Sequence, residues 1–286
     1  MSAFGGRLSR REIPRQGATL SSLYLPMSVP HGSGALRNHA LNARLAAIAS
    51  RIKRDGFAFV PQVEMLDLLP QVALGVWSQF AGAWKDLGPD LYMADGGRYR
   101  RRRYAVYRLT ATTLERQGHQ PHYQSRDYNV LNGGVQRWFK PIAKTVAESP
   151  VTVAVLDMCQ ALFSGLEAKA AREDRHVELH QFRIEPAADE IGYPTPEGLH
   201  RDGVDWVCVL LVSRSNVEDG VTRIHDDEGR ELGAFTLSAP LDAVFLDDRR
   251  VLHDVTAIRR LDSHRPGSRD VIVITFKKPA DTPAAA

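Results

Sequence analysis

The chain has 286 residues, 43% hydrophobic and 25% charged, the composition of a folded globular protein long enough to bury a core and enclose a pocket. A formal net charge of +3 is too small to argue by itself for a nucleic-acid partner. Cys159 and Cys208 stand 49 positions apart with no CxxC pair, which argues against a disulfide scaffold or a zinc–thiolate domain and makes a reducing cytoplasm the expected compartment. Residues 1–17 carry arginines but no apolar stretch, and the densest apolar run, 207–212, falls far short of the ~18 residues of a membrane span, so neither a signal peptide nor a membrane partner is expected.

Residues 1–35 are rich in Gly, Pro, Ser and Arg and read as a loosely ordered arm with one short strand at 22–25. Leu41, Leu45, Ile48 and Ile52 then recur at helical spacing, with Gly56 as the stop and a strand at 57–60. Leu69, Ala73, Val76, Phe80 and Trp84 mark a second amphipathic helix ended by Gly88-Pro89. Ser149-Pro150 is a cap and first turn for a third, whose buried face is Leu156, Cys159, Leu162, Phe163 and Leu166. From 177 onward the period shortens to that of strands, at 177–184, 205–212, 221–225, 231–237, 243–246, 251–258 and 271–276, separated by turn residues such as Asp219-Gly220 and Pro266-Gly267. The expected fold is mainly β with flanking helices. A single domain over 36–278 has a helical part (about 36–175) packed on a double-stranded β-helix, or cupin-like jelly-roll (about 176–278), with a frayed tail at 279–286.

The chemistry concentrates in Pro196-Glu197-Gly198-Leu199-His200-Arg201-Asp202-Gly203. On an extended chain, side chains at i and i+2 share a face, so His200 and Asp202 can present a nitrogen and an oxygen to one point. His253, 53 residues later, lies at the start of a strand that a jelly-roll can return beside the first. Two histidines and a carboxylate on one side of an ion leave the other side open, as in non-heme Fe(II) oxygenases. Taken by itself, the triplet also reads as a turn bent at Asp202-Gly203. An iron oxygenase that uses 2-oxoglutarate needs a cation for the far carboxylate. Arg269, at the mouth of the last strand, suits that bidentate task, its other reading being a solvated strand-end arginine.

The chain resembles the bacterial Fe(II)/2-oxoglutarate dioxygenases that hydroxylate free amino acids, the L-isoleucine dioxygenase-like group. The resemblance is carried by 196–203, Gly-Val-Thr-Arg-Ile at 220–224, Val-Leu-His-Asp-Val at 251–255 and Arg-Asp-Val-Ile-Val-Ile at 269–274. It extends more weakly through 95–101 and 133–139. It implies that His200, Asp202 and His253 hold Fe(II), that Arg269 anchors 2-oxoglutarate, that Thr222 contacts it, and that O2 is the oxidant. It departs from the family pattern at Asp219, where a glycine is expected, and at Ala257, where a proline is expected.

The expected substrate is a small molecule, a free or simply substituted L-amino acid, whose carboxylate needs another cation. Arg183 is a candidate, its alternative being a strand arginine paired with an acid. Within Arg98 to Tyr104, Arg103 and Tyr104 are substrate candidates, on a strand with some arginines turned inward and the others solvated rather than a nucleic-acid footprint. His180 reads as a hydrogen-bonded core histidine, not a fourth ligand. His122, Tyr123, Asp127 and Asn129 form a polar stretch suited to a lid or substrate loop, and His176, His225 and His264 read as surface histidines. The competing functions are oxidation of a non-amino-acid metabolite, and a cupin-like metal-binding stress-response or regulatory protein without turnover. The sequence leaves the oligomeric state open.

Overall fold

The structure, a computed structural model, describes residues 34–110, 113–167, 174–188 and 190–278, so the strand expected at 22–25 and the tail at 279–286 lie outside the described residues. Helix α1 (Gly34–Asp55) carries the predicted face, with Leu45, Ile48 and Ile52 buried. It ends where Gly56 takes φ +81°; a Cβ there would stand 2.6 Å from Val251 Cγ1. Strand β1 (Phe57–Val60) follows as expected.

The second expected helix is instead broken into α2 (Gln62–Leu68), α3 (Gln71–Gly75) and α4 (Trp77–Gly82), closed by a 3-10 turn at Ala83–Asp86. Pro70 is the cause. It has no N–H to continue a helix and disfavours the helical region for Leu69, which sits at φ −94°, ψ 142°. The apolar face survives the breaks. Ala73, Phe80 and Trp84 stay buried, and Trp84 Nε1 donates to the carbonyls of Phe182 and Val271 at 3.0 and 3.2 Å.

The N-terminal half is less helical than its pattern suggests, because β2 (Gly88–Pro89), β3 (Arg100–Leu109) and β4 (Leu114–Arg116) join the large sheet. Helices α5 (Lys144–Ala147) and α6 (Pro150–Ser164) follow, the latter with the expected Ser149 cap, whose side chain accepts from Val151 N–H at 3.3 Å. The remaining strands are β5 (Arg175–Ile184), β6 (Trp206–Ser215), β7 (Val217–Asp219), β8 (Val221–His225), β9 (Glu231–Thr236), β10 (Ala243–Asp247), β11 (Leu252–Val255), β12 (Ile258–Arg260) and β13 (Ser268–Lys277). One correction emerges. The strand expected at 251–258 breaks at Thr256-Ala257 into β11 and β12, and β12 pairs with β7, which the sequence did not signal. β13 begins at Ser268, earlier than expected, with Arg269 as its second residue, at its mouth.

The large sheet runs β1–β10–β6–β13–β5–β3–β2, with β4 on β3; β11–β8–β9 form the smaller sheet of the jelly-roll. Strand parity divides the large sheet. Ile272, Ile274 and Phe276 of β13, with Cys208 and Leu210 of β6, pack into the same core as α1 and α6. Val271, Val273 and Thr275 face the other way and line a cavity. Helices cover one face of the sheet, so the site forms on the other.

Candidate active site

His200 and His253 meet as an antiparallel backbone pair, with N–H to O distances of 3.1 and 2.9 Å, which brings their ring centroids to 4.5 Å. The His200 Nδ1–H donates to the Gly198 carbonyl at 2.9 Å, so Nε2 keeps its lone pair. That nitrogen is 3.8 Å from Asp202 Oδ1, and His253 Nε2 is 3.6 Å from Asp202 Oδ2. One donor atom from each of the three lies within 4.8 Å of the others. Donors sharing an ion at ~2.1 Å each sit about 3 Å apart, so a small contraction closes the set. Burial pushes His253 down to about 3, leaving the neutral imidazole that coordination requires. These donors fit Fe(II) in the facial arrangement.

The turn that carries Asp202 is fixed by a residue that the sequence pattern does not single out. The buried Asp248 carboxylate accepts from three consecutive backbone N–H groups, those of Asp202, Gly203 and Val204, at 3.0, 2.8 and 3.0 Å. Gly203 holds φ +77°, and a Cβ on it would stand 2.5 Å from the Tyr128 ring. The stretch around His122 thus packs directly on the ligand turn: Gln124 Nε2 donates to the Asp202 carbonyl at 3.1 Å, and Asn129 to Gln124 Oε1 at 3.1 Å. Tyr123 and Asp127 of this stretch are exposed.

Beside the triad is a cavity of about 140 Å³. Arg269 projects into it from β13, 2% exposed. Its Nε and Nη2 have no hydrogen-bond partner among the described residues. Burial and the nearby Arg214, directly across the strand pair, lower the guanidinium to about 10. A fully buried cation without a partner is costly, which is the signature of a place where an anion belongs. The unexpected Asp219 adopts φ +63°, a conformation aspartate tolerates better than most residues, so the backbone keeps the shape a glycine would give. Thr222 is buried on β8 but is not among the residues lining the cavity.

The substrate candidates divide by strand parity. Arg183 faces away from the cavity, its guanidinium forked onto both Asp270 oxygens at 2.7 Å, so it is the acid-paired strand arginine. Arg103 also points outward, bound to the Asp86 carboxylate at 2.9 Å and the Pro141 carbonyl at 2.9 Å. Tyr104 lies behind the cavity wall, donating to Glu178 Oε1 at 2.6 Å. The inward arginines are Arg100 and Arg102, joined by Arg137, which the sequence reading did not single out. Its one signal was its place in 133–139, part of the weak resemblance. All three are at most 5% exposed. Arg100 pairs with Asp90 at 2.8 Å. Arg102 and Arg137 each keep a buried Nε–H without a partner among the described residues. Arg102 is lowered to about 9, chiefly by burial, and its guanidinium lies 3.7 Å from the Phe139 ring centroid and 4.3 Å from that of Phe182.

His122, Glu178 and His180 also gather donor atoms within 4.8 Å. Their hydrogen bonds explain the group without an ion. Arg102 Nη2 lies 2.6 Å from His180 Nδ1 and can only donate, so the proton of His180 sits on Nε2, 3.4 Å from Glu178. His180 is the core histidine its strand suggested. Burial opposes the charge on Glu178, but His122, His176 and His180 hold it well below the usual carboxylate range. His176 and His225 lie half-buried in strands, the His176 side chain still 40% exposed, and His264 is exposed.

A family model described as 2OG-Fe dioxygenase matches residues 81–275. Among curated proteins, the chain is 23% identical over 158 residues to 3(1)-hydroxy-L-isoleucine 4-dioxygenase of Pantoea ananatis, covering 55% of this chain and 64% of that protein. It is 26% identical over 158 residues to L-isoleucine-4-hydroxylase of Bacillus thuringiensis, covering 54% and 64%. The matches thus span just under two thirds of both relatives. Among solved structures, a bsmA homologue from Methylobium petroleophilum superposes with a TM-score of 0.74 at 34% identity, over 84% of this chain and 96% of that one.

Proposed function

The chain belongs to the 2OG-Fe dioxygenase family, and on that premise we propose that it hydroxylates a free or simply substituted L-amino acid. The observation that carries this reading is one cavity with unsatisfied guanidinium N–H groups in two places, on Arg269 and on the Arg102–Arg137 wall. One carboxylate does not account for both. His200, Asp202 and His253 hold Fe(II), and Arg269 takes the far carboxylate of 2-oxoglutarate through its free Nε and Nη2. When bound, the metal and 2-oxoglutarate supply the oxidation, in which O2 is consumed, succinate and CO2 are released, and one oxygen enters a substrate C–H bond.

The remaining work belongs to the chain. Arg102 and Arg137 bind the amino acid's carboxylate, which replaces the water their guanidinium groups lost on burial. Phe139 and Phe182 flank the Arg102 plane and hold its fork in one orientation. Val204, Val255 and Val273 give the substrate side chain an apolar wall that also excludes water. The two curated relatives carry L-isoleucine or its hydroxy derivative in their names, which agrees with a substrate of this size and class. The inward turn of Arg100 and Arg102, with Arg101 and Arg103 paired to Glu185 and Asp86, divides the arginines of β3 between the cavity and ion pairs. No helix among the described residues is long and apolar enough to cross a membrane.

The test is a screen of amino acids and other small acids with Fe(II), 2-oxoglutarate and ascorbate, read as succinate formation and a product heavier by one oxygen. Succinate driven by an amino acid that gains oxygen supports the reading. Oxidation of a different compound class, or no 2-oxoglutarate consumption with any substrate, overturns it.

A further inference from the structure

We infer that Glu197 recognises the free α-ammonium group of the substrate and so restricts the site to unacylated amino acids; this rests on the amino-acid reading above. Glu197 sits three residues before His200, with its side chain 12% exposed and lining the cavity. Its Oε1 is 3.7 Å from His200 Nε2 and 3.5 Å from Asn129 Nδ2, while its Oε2 is buried with no hydrogen-bond partner among the described residues. A buried carboxylate oxygen with an empty valence is as costly as the unpaired N–H groups of Arg102 and Arg137, and it asks for a ligand of the opposite sign.

The two unsatisfied groups face one space without neutralising each other. Burial lowers Arg137, and Glu197 is among the carboxylates that offset part of that effect, yet the two form no ion pair. A zwitterion satisfies both at once, its carboxylate on Arg102 and Arg137 and its ammonium on Glu197. A plain carboxylic acid leaves Glu197 empty, and an N-acyl derivative sets a neutral amide and extra bulk against it. The other cavity carboxylates are taken. Glu178 already accepts from Tyr104 and faces His122, His176 and His180, and Asp202 faces the two metal-side nitrogens. Glu197 is not part of the donor group gathered within 4.8 Å around Asp202, and the oxygen it leaves without a partner among the described residues is Oε2, not the Oε1 that faces His200.

The experiment compares the best amino acid from the screen with its N-acetyl and des-amino counterparts, in the wild-type enzyme, Glu197→Gln and Glu197→Asp. Wild type should prefer the amino acid by about 100-fold in kcat/KM, the size of effect expected for a desolvated charge pair. Glu197→Gln should lose most of that preference through the amino acid alone, and Glu197→Asp should keep part of it. The readout independent of turnover is the visible charge-transfer band of the anaerobic Fe(II)–2-oxoglutarate complex. In Glu197→Gln the band should persist but no longer respond to added amino acid. If the band itself is lost, Glu197 serves the metal and the inference is wrong. If wild type turns over the N-acetyl or des-amino compound equally well, or Glu197→Gln keeps the preference, ammonium recognition is refuted while the amino-acid reading stands. If no amino acid supports turnover, both fall together.

Discussion

Replacing Arg269 by Met should make the ligand-free protein more stable and at the same time unable to hold 2-oxoglutarate. Arg269 is 2% exposed, and its Nε and Nη2 make no hydrogen bond among the described residues. Its guanidinium falls well below its ordinary value, to about 10, because burial and Arg214 both disfavour the charge. At 1.36 kcal/mol per pH unit, that drop corresponds to about 3 kcal/mol surrendered by the folded protein to keep Arg269 charged. The sign follows from a cation whose folded value lies below its unfolded one. Below pH 10 the group is charged in both states, so the penalty is present in full at neutral pH and is relieved only as pH rises past the folded value. A methionine of similar length removes the charge and keeps the packing, so the variant should gain roughly 1–3 kcal/mol and melt several degrees higher. Wild type should recover that loss on adding 2-oxoglutarate, with a concentration-dependent rise in Tm that the variant lacks. The assay is thermal melting of both proteins with Fe(II) replaced by a redox-inert divalent ion, across a 2-oxoglutarate titration. An Arg269→Met protein that melts lower than wild type and still responds to 2-oxoglutarate would refute the reasoning.

Three further outcomes follow from the same geometry. Asp202→Ala should abolish iron-dependent turnover and the Fe(II)-induced rise in Tm while leaving the circular dichroism spectrum unchanged; retained activity would remove Asp202 from the metal set. Asp248→Ala frees the three backbone N–H groups that hold the ligand turn, and should weaken Fe(II) binding by about 10–100-fold, measured by competition with a chelator. Arg102→Met and Arg137→Met should each raise the amino-acid KM by about 30-fold or more and leave 2-oxoglutarate affinity within a factor of two or so, as steady-state kinetics with each substrate varied in turn will report.

The convergence of His200, Asp202 and His253 was legible because it is local in pattern: a histidine and an aspartate two apart on extended chain, and a second histidine on a returning strand. The place of Arg269 beside them followed from the expectation of a distal cation, which the last strand offers. The second cationic wall was only half legible. Alternation divides Arg100 and Arg102 from Arg101 and Arg103, and His180 from Arg183, but alternation alone does not say which face meets helices. That was decided by α1 and α6 covering the Leu179 and Ile272 side of the sheet. Arg183 and Arg103 were chosen from the wrong face for this reason. Asp248, Arg137 and Glu197 were hidden for a different one. Their places depend on a clamp, a loop crossing and an orphan oxygen, contacts between segments far apart in sequence or, for Glu197 Oε2, no partner among the described residues. Pro70 stood in plain view, and its restriction on Leu69 was outweighed in the reading by an apolar face that does continue past the break.

The central claim is that one cavity couples 2-oxoglutarate decarboxylation to oxygen insertion into an amino acid. The most direct measurement is turnover under isotopically heavy O2, with mass analysis of both products. One heavy oxygen in the amino-acid product and one in an equimolar amount of succinate is the predicted result. Succinate labelled without any label entering an amino acid, or an amino acid modified without succinate, would contradict it.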